Sequence, residues 1–481
     1  MRFLPLAILA ALTSIACGPS QGAQGPNRTP LAEKWYERAK TAYKTGDFDD
    51  ARDAGKSALQ AAASDPEIRI LNARIALAHL EYAETLKLTE GLQTTDAHGL
   101  RGRAHWYSGD IEQAADELEA MLQDPNVKDP WAREVAQLAR RGSGRHPFAI
   151  EGGLVSSVEM PRAGVALVVP VELEGEQVLA MVATATGEVV VDSASRKEAA
   201  WVNLRFGSME VKDVPALTQD LSALSRQLGA PIKALLGVNL LRHMHVTFDR
   251  RGDQFVVRKE NPPPPPDSSR VPLWYVRGGG MLLRAGVSQK SDQALLLVDT
   301  SAMFPLLLET EMWKKAGVDP AKLQPEPALP NMKSGIVPLL KFGGFDLPQV
   351  PAVQGDSGAD LRSSLDVDLG GIAGAGLLSL FRVTFGDDGR FVWLEADPSM
   401  TAAGAGRTLP KQPMEPDSTA PPAKDGKPGE APKKPDAKPD VKPAPKGAAP
   451  AGAPKADPAK GSETPSKPAD KAASGKVEGK K

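Results

Sequence analysis

The sequence is short of several things, and each shortage removes a class of function. One Cys in 481 residues leaves no disulfide framework and no thiolate metal cluster. Neither sign of charge is in excess, with 58 Lys and Arg against 60 Asp and Glu, so the overall basic surplus of a dedicated nucleic-acid binder is missing. Aromatic residues make up only 5% while 41% are hydrophobic, so cores must be built mainly from Val, Leu, Ala and Ile. No P-loop and no His-Glu-x-x-His is present, and these are the motifs that would announce nucleotide or zinc-protease chemistry. Six His residues add little: His243-x-His245 places two imidazoles on one face of an expected strand, but no further ligand set completes a metal site. Neither a metal nor a cofactor is expected. From Thr401 to Lys481 large apolar side chains are almost absent and Pro, Ala, Lys and Gly dominate. Such a tail cannot offset the entropy of ordering, and disorder is expected there.

The N-terminus carries an address. Met1-Arg2 followed by the apolar Phe3 to Leu12 has the length of a signal peptide and is too short to span a bilayer. It runs into Thr13-Ser14-Ile15-Ala16-Cys17, which resembles the lipobox of bacterial lipoproteins, with Ser14 where that family usually has Leu. The resemblance implies cleavage after Ala16 and lipid on Cys17. It further implies a membrane-anchored envelope protein, expected at the outer membrane facing the periplasm because Gly18 is not acidic. Residues 17–30, rich in Gly, Ser, Gln and Pro, read as a flexible tether.

From residue 31 to 142 apolar and Ala positions recur at helical spacing. Trp35, Ala39, Ala42, Tyr43, Gly46, Phe48, Ala51 and Ala58, with Pro66 after the second helix, resemble a tetratricopeptide (TPR) repeat. Gly46-Asp47-Phe48-Asp49-Asp50-Ala51 returns as Gly109-Asp110-Ile111-Glu112-Gln113-Ala114, about two repeat periods later. A middle copy is therefore expected over 67–93, with Tyr82 where Phe48 stands and Leu80 in place of the turn Gly. The resemblance implies stacked helix pairs and a concave surface for a protein or peptide partner.

After His146 short β-rich runs bounded by Gly, Pro and Asp take over. Pro262 to Pro266 forms an extended connector between two segments that match each other. Gln177 to Thr186 aligns without gaps on Gln293 to Ala302. Farther along, Leu235-Leu236-Gly237 and Val246-Thr247-Phe248 answer Ile372-Ala373-Gly374 and Val383-Thr384-Phe385. Two copies of one β lobe are expected, over 147–260 and 271–397, with 261–270 as the linker.

Leu297-Val298-Asp299-Thr300-Ser301-Ala302 resembles the apolar-Asp-Thr-Gly/Ser-Ala signature of aspartic proteases of the retropepsin and pepsin-like kind, and Ile372-Ala373-Gly374 resembles the element that follows later in each lobe. That chemistry needs two carboxylates about 3 Å apart sharing one proton, one to activate water and one to act as acid. The resemblance makes Asp299 one of them, with Thr300 bracing the loop and Ser301 beside it. The aligned position in the first lobe is Ala183, which can hold neither proton nor water. Asp192 lies nine positions farther on and aligns with Leu308, so it does not substitute.

The fold expected from these readings is multidomain: an all-α TPR-like repeat region, an all-β duplicated aspartic-protease-like domain with a degenerate first lobe, and a disordered tail. The function expected is an envelope-anchored scaffold that binds a protein or peptide, with no nucleic acid, and with a protease-like part that is a pseudoenzyme. The alternative is an aspartic endopeptidase formed by a homodimer in which two chains each supply Asp299.

Overall fold

The computed structural model describes residues 28–277, 279–288, 292–327, 332–355 and 365–396. The export segment, Cys17, the tether up to residue 27 and the tail lie outside the described residues. Helices dominate the N-terminal part and strands the C-terminal part.

Among the described residues seven helices come first: α1 (Pro30–Lys44), α2 (Phe48–Ala61), α3 (Pro66–Ala78), α4 (Tyr82–Thr89), α5 (Thr95–Ser108), α6 (Ile111–Leu122) and α7 (Pro130–Arg140). Their starts are written in the sequence. Thr29, Asp65 and Asp129 cap α1, α3 and α7 through side-chain oxygens that accept backbone N–H groups, and a Pro follows each cap where its missing N–H costs nothing. Small residues let neighbouring helices close: a Cβ on Gly55 would lie 2.4 Å from Asn72 Oδ1, and one on Gly102 2.6 Å from Leu118 Cδ2. Gly46 and Gly109 turn the chain between paired helices at φ 74° and 90°. Leu80 takes the same left-handed conformation at φ 60°, at a cost of about 1–2 kcal/mol. Its side chain is buried in the core cluster of the strand-rich half, which offsets that strain.

Among the described residues the strands form three sheets. In the first half, Glu176–Ala183 runs parallel to Ile232–Gly237, with Ala183 opposite Gly237. In the second half, Gln293–Asp299 runs parallel to Gly371–Gly374, with Asp299 opposite Gly374. The third sheet has six strands, three from each half. At its middle Thr247–Asp249 pairs antiparallel with Phe381–Gly386, Thr247 facing Thr384 with their hydroxyl oxygens 2.8 Å apart. These two Thr residues match in sequence, so a local twofold relation passes between them.

The expected separation into an all-α and an all-β domain does not hold. Among the described residues the strand-rich half contains helices α8 (Ser222–Leu228), α9 (Val238–His243), α10 (Thr310–Lys315) and α11 (Ala375–Leu378). At four to seven residues they are too short to display a helical period, so the β-branched runs around them dominate the pattern. Moreover, the described residues all fall in one compact unit. Tyr43, Phe48, Leu71 and Ile75 of the helical array share a cluster with Trp274, Leu282, Leu295 and Leu297, and Trp106, Ile111 and Leu138 share another with Ala199, against which Trp201 and Leu217 pack. The ends of the array that carry its turns rest on the sheets: Leu295 side-chain atoms would meet a Cβ on Gly46 at 2.5 Å, and Arg284 pairs with Asp47 at 3.0 Å.

Candidate functional site

Side chains alternate along Gln293–Asp299. Leu296 and Val298 enter the main core, whereas Leu295 and Leu297 face the helical array. Asp299 ends the strand on that second face, half-buried, its Oδ1 accepting from the Ser301 N–H at 2.9 Å and the Ser301 hydroxyl at 2.5 Å. Thr300 is fully buried and bridges the halves. Its hydroxyl donates to Val182 O at 2.7 Å and accepts from the Thr184 N–H at 3.2 Å. Thr184 returns both bonds, donating to Val298 O at 2.7 Å and accepting from the Thr300 N–H at 3.2 Å. Four reciprocal bonds thus cross the centre, and the residues just before each Thr, Ala183 and Asp299, hold equivalent positions on its two sides.

Ala183 is 2% exposed and belongs to an apolar cluster with Met181, Val190, Leu221, Ile232 and Leu235. Met303, four residues beyond Asp299, packs against that cluster. The glycines opposite are required by close approach: a Cβ on Gly237 would lie 2.0 Å from Glu188 O, and one on Gly374 2.0 Å from Phe304 O. Asp192 is engaged elsewhere, bonded to Lys233 Nζ at 3.0 Å. Burial works against its charge, but Lys233 and the Leu221 N–H outweigh it and hold the carboxyl below its ordinary range.

The face bearing Asp299 is covered by the chain itself. Leu297 of that face, with Ile372 packed beside it, meets Tyr43 and Phe48 of the array and Leu365 and Val367 of the segment before the second parallel strand. The equivalent face of the first half, with Met181 and Leu235, is covered by Leu221, with Leu224 and Leu228 of α8 packed against it.

His243 and His245 stand at and beyond the end of α9, not on a strand. His243 stacks on Phe148 with ring centroids 4.5 Å apart, and burial pushes its pKa well down. No group of three His, Cys, Asp or Glu that could hold a metal ion occurs among the described residues.

Two features escaped the sequence reading. The first is Glu188, 4% exposed, where the array meets the first half: its Oε1 accepts from Trp106 Nε1 at 3.2 Å and from the Tyr107 hydroxyl at 3.3 Å. The second is a pair of contiguous hollows of about 250 and 680 Å³ along α1, α3 and α5, both reaching Tyr43, Arg74 and Asp366. The recurring small residues of the array signal the helices, but nothing local marks the partners that lie hundreds of residues away.

No protein-family model and no curated protein matches the sequence. Solved structures do resemble parts of it. A retropepsin-like aspartic protease from Rickettsia conorii is 21% identical over 27% of this chain and 91% of its own, with a TM-score of 0.21. The first TPR domain of the human RPAP3 protein is 20% identical over 23% of this chain and 91% of its own, with a TM-score of 0.21. An aspartic proteinase from Irpex lacteus is 11% identical over 52% of this chain and 99% of its own, with a TM-score of 0.35.

Proposed function

We propose that the protein is a cell-envelope binding or scaffold protein, held at the membrane by lipid on Cys17, whose protease-like half does not cleave peptides. The observation that carries this reading is the central crossing. The position equivalent to Asp299 is a buried methyl group, Ala183, with Met303 packed against its cluster. A lone carboxylate lacks the like-charged neighbour with which a proton would be shared, and that shared proton is what lets such a pair serve as base and acid at once. The packing of Tyr43 and Phe48 in one cluster with Leu295 and Leu297, on the strand that ends at Asp299, is further support, because the array occupies the face leading up to the carboxylate. The same chain already supplies the partner side of the crossing, which disfavours pairing between second lobes of two chains. Binding is assigned to the array, whose hollows along α1, α3 and α5 remain open.

The purified full chain, incubated with unfolded protein at acid pH, is expected to cleave nothing, and Asp299→Asn to change nothing. Cleavage that vanishes in Asp299→Asn and climbs steeply with protein concentration would replace this reading with the paired-chain endopeptidase. For binding, a photo-crosslinking residue in place of Ile70, in the wall of the larger hollow, should give a discrete protein adduct in cells. Failure to form one would remove the array from the proposed role.

A further inference from the structure

The first turns of α1 present a stripe that neither the core nor the hollows use. Leu31, Lys34, Trp35 and Arg38 follow at spacings of three and four, so they lie along one side of the helix. Tyr36, Lys40, Tyr43 and Lys44, which line the larger hollow, fall on another side. Leu31 is 57% exposed, although it stands in the first turn, where an acidic side chain would serve the helix better. Trp35 packs against the cluster of Ala32, Ala58 and Ile68 and stays partly exposed. One step farther along the stripe Ala42 is buried with Leu295 and Leu297, so the open part of the stripe is the end nearest Arg28.

On that stripe Arg38 is bonded to Asp50, whereas Lys34 has no ion-pair partner among the described residues, its ammonium standing 5.7 Å from the centre of the Trp35 ring. A Leu, a Trp and a Lys on one open stripe suit a bilayer surface: apolar side chains enter the acyl boundary, indole rings settle at headgroup level, and cations meet phosphate. The chain that leads to the stripe leaves from the same end of the array. Arg28 bonds Asp65 at 2.7 Å and Glu33 at 3.2 Å, also pairs with Glu67, and lies 4.1 Å from the centre of the Tyr36 ring. Cys17 and Arg28 are 11 residues apart in sequence, a stretch that reaches at most about 40 Å even when fully extended. Lipid on Cys17 would therefore hold the base of α1 within that distance of the bilayer.

We infer that this stripe docks on the phospholipid surface that carries the anchor, with Leu31 in the acyl boundary, Trp35 at the headgroups and Lys34 on a lipid phosphate. The inference rests on the proposed lipid at Cys17 and adds how the array stands on the membrane. One Leu and a partly exposed Trp would bind a bilayer only weakly from solution. Tied through Cys17, the contact is intramolecular and needs little affinity of its own. The docked side of α1 is not the side that lines the hollows, so docking and the proposed binding role do not compete.

The test uses the chain from Cys17 onward, which keeps every described residue and has that Cys as its one thiol. Coupling it to maleimide lipid in vesicles of phosphatidylethanolamine and phosphatidylglycerol supplies the attachment whether or not cells lipidate Cys17. When the acyl chains carry bromine, which quenches indole fluorescence only at close range, part of the tryptophan emission should be lost relative to unbrominated vesicles. Trp35→Phe should abolish that quenching, and Leu31→Glu should abolish it with Trp35 still in place. Circular dichroism checks that both variants are folded, and the exposure of Leu31 keeps the test valid if Trp35→Phe does not fold. No quenching from the coupled chain, quenching that survives Trp35→Phe, or indifference to Leu31→Glu overturns the docking. Such a result leaves the anchor itself standing, because the anchor is decided by where Cys17→Ser is found in cells.

Discussion

Thr184 and Thr300 hold the two halves together through four buried hydrogen bonds exchanged in pairs. Replacing Thr184 by Val keeps the shape and leaves the buried Val298 O and Thr300 N–H without their partner. The expected loss is about 3 kcal/mol, since each buried polar group left unsatisfied costs about 1–3 kcal/mol. Thr300→Val should cost much the same, because its bonds are the mirror of those made by Thr184. Chemical denaturation of the full chain reads both values, and losses below about 1 kcal/mol would mean that the crossing contributes little. The relation between Ala183 and Asp299 is legible in the sequence, because the two strands match without gaps and a slip of one residue would turn every side chain to the wrong face. The fate of Ala183 is not legible. What surrounds it comes from Leu221, Ile232 and Met303, which no alignment of one half on the other brings together.

The contact of α5 with the first half turns on one buried acid. Glu188 accepts from Trp106 and Tyr107, while Trp131 of α7 and Asn239, Arg242 and His243 of α9 also face it. Burial raises its pKa above the ordinary glutamate value, more than its hydrogen bonds lower it. A carboxyl raised in the folded state is protonated in both states at low pH. As pH rises past the unfolded value the unfolded chain gives up its proton first, so stability falls until the folded value is passed. Melting temperature should therefore drop across that window, and Glu188→Gln, which stays neutral, should flatten the drop. An unchanged slope in the variant would assign the pH dependence to other groups. The elements at this contact differ in how openly the sequence displays them. The array is readable from Gly46-Asp47-Phe48 and its return at Gly109-Asp110-Ile111, because turn and packing residues repeat. The short helices α8 to α11 are not, since one or two turns carry no period. Glu188 stands directly before Val189-Val190-Val191 and reads as the polar edge of a strand, and only the fold reveals the aromatic pair above it.

For the whole molecule, the proposed attachment depends on Cys17, which lies outside the described residues. Among the described residues no helix is long and apolar enough to cross a membrane, and the proposal assigns the anchoring to lipid on Cys17. Cys17→Ser should move the protein from the membrane fraction to the soluble fraction of the envelope, as fractionation and immunoblotting would record. Retention of the variant in the membrane would sink the anchor. The seam between array and lobe has a different consequence, one of timing. Arg74 and Asp366 are 292 residues apart in sequence, and contacts of such separation form late. Within the array Tyr43 and Phe48 are covered only in part, and the surface that completes their cover includes Trp274, Leu365 and Val367 from far later in the chain. Until those segments arrive, the folding chain presents an incompletely covered aromatic face, the kind of surface through which folding intermediates aggregate.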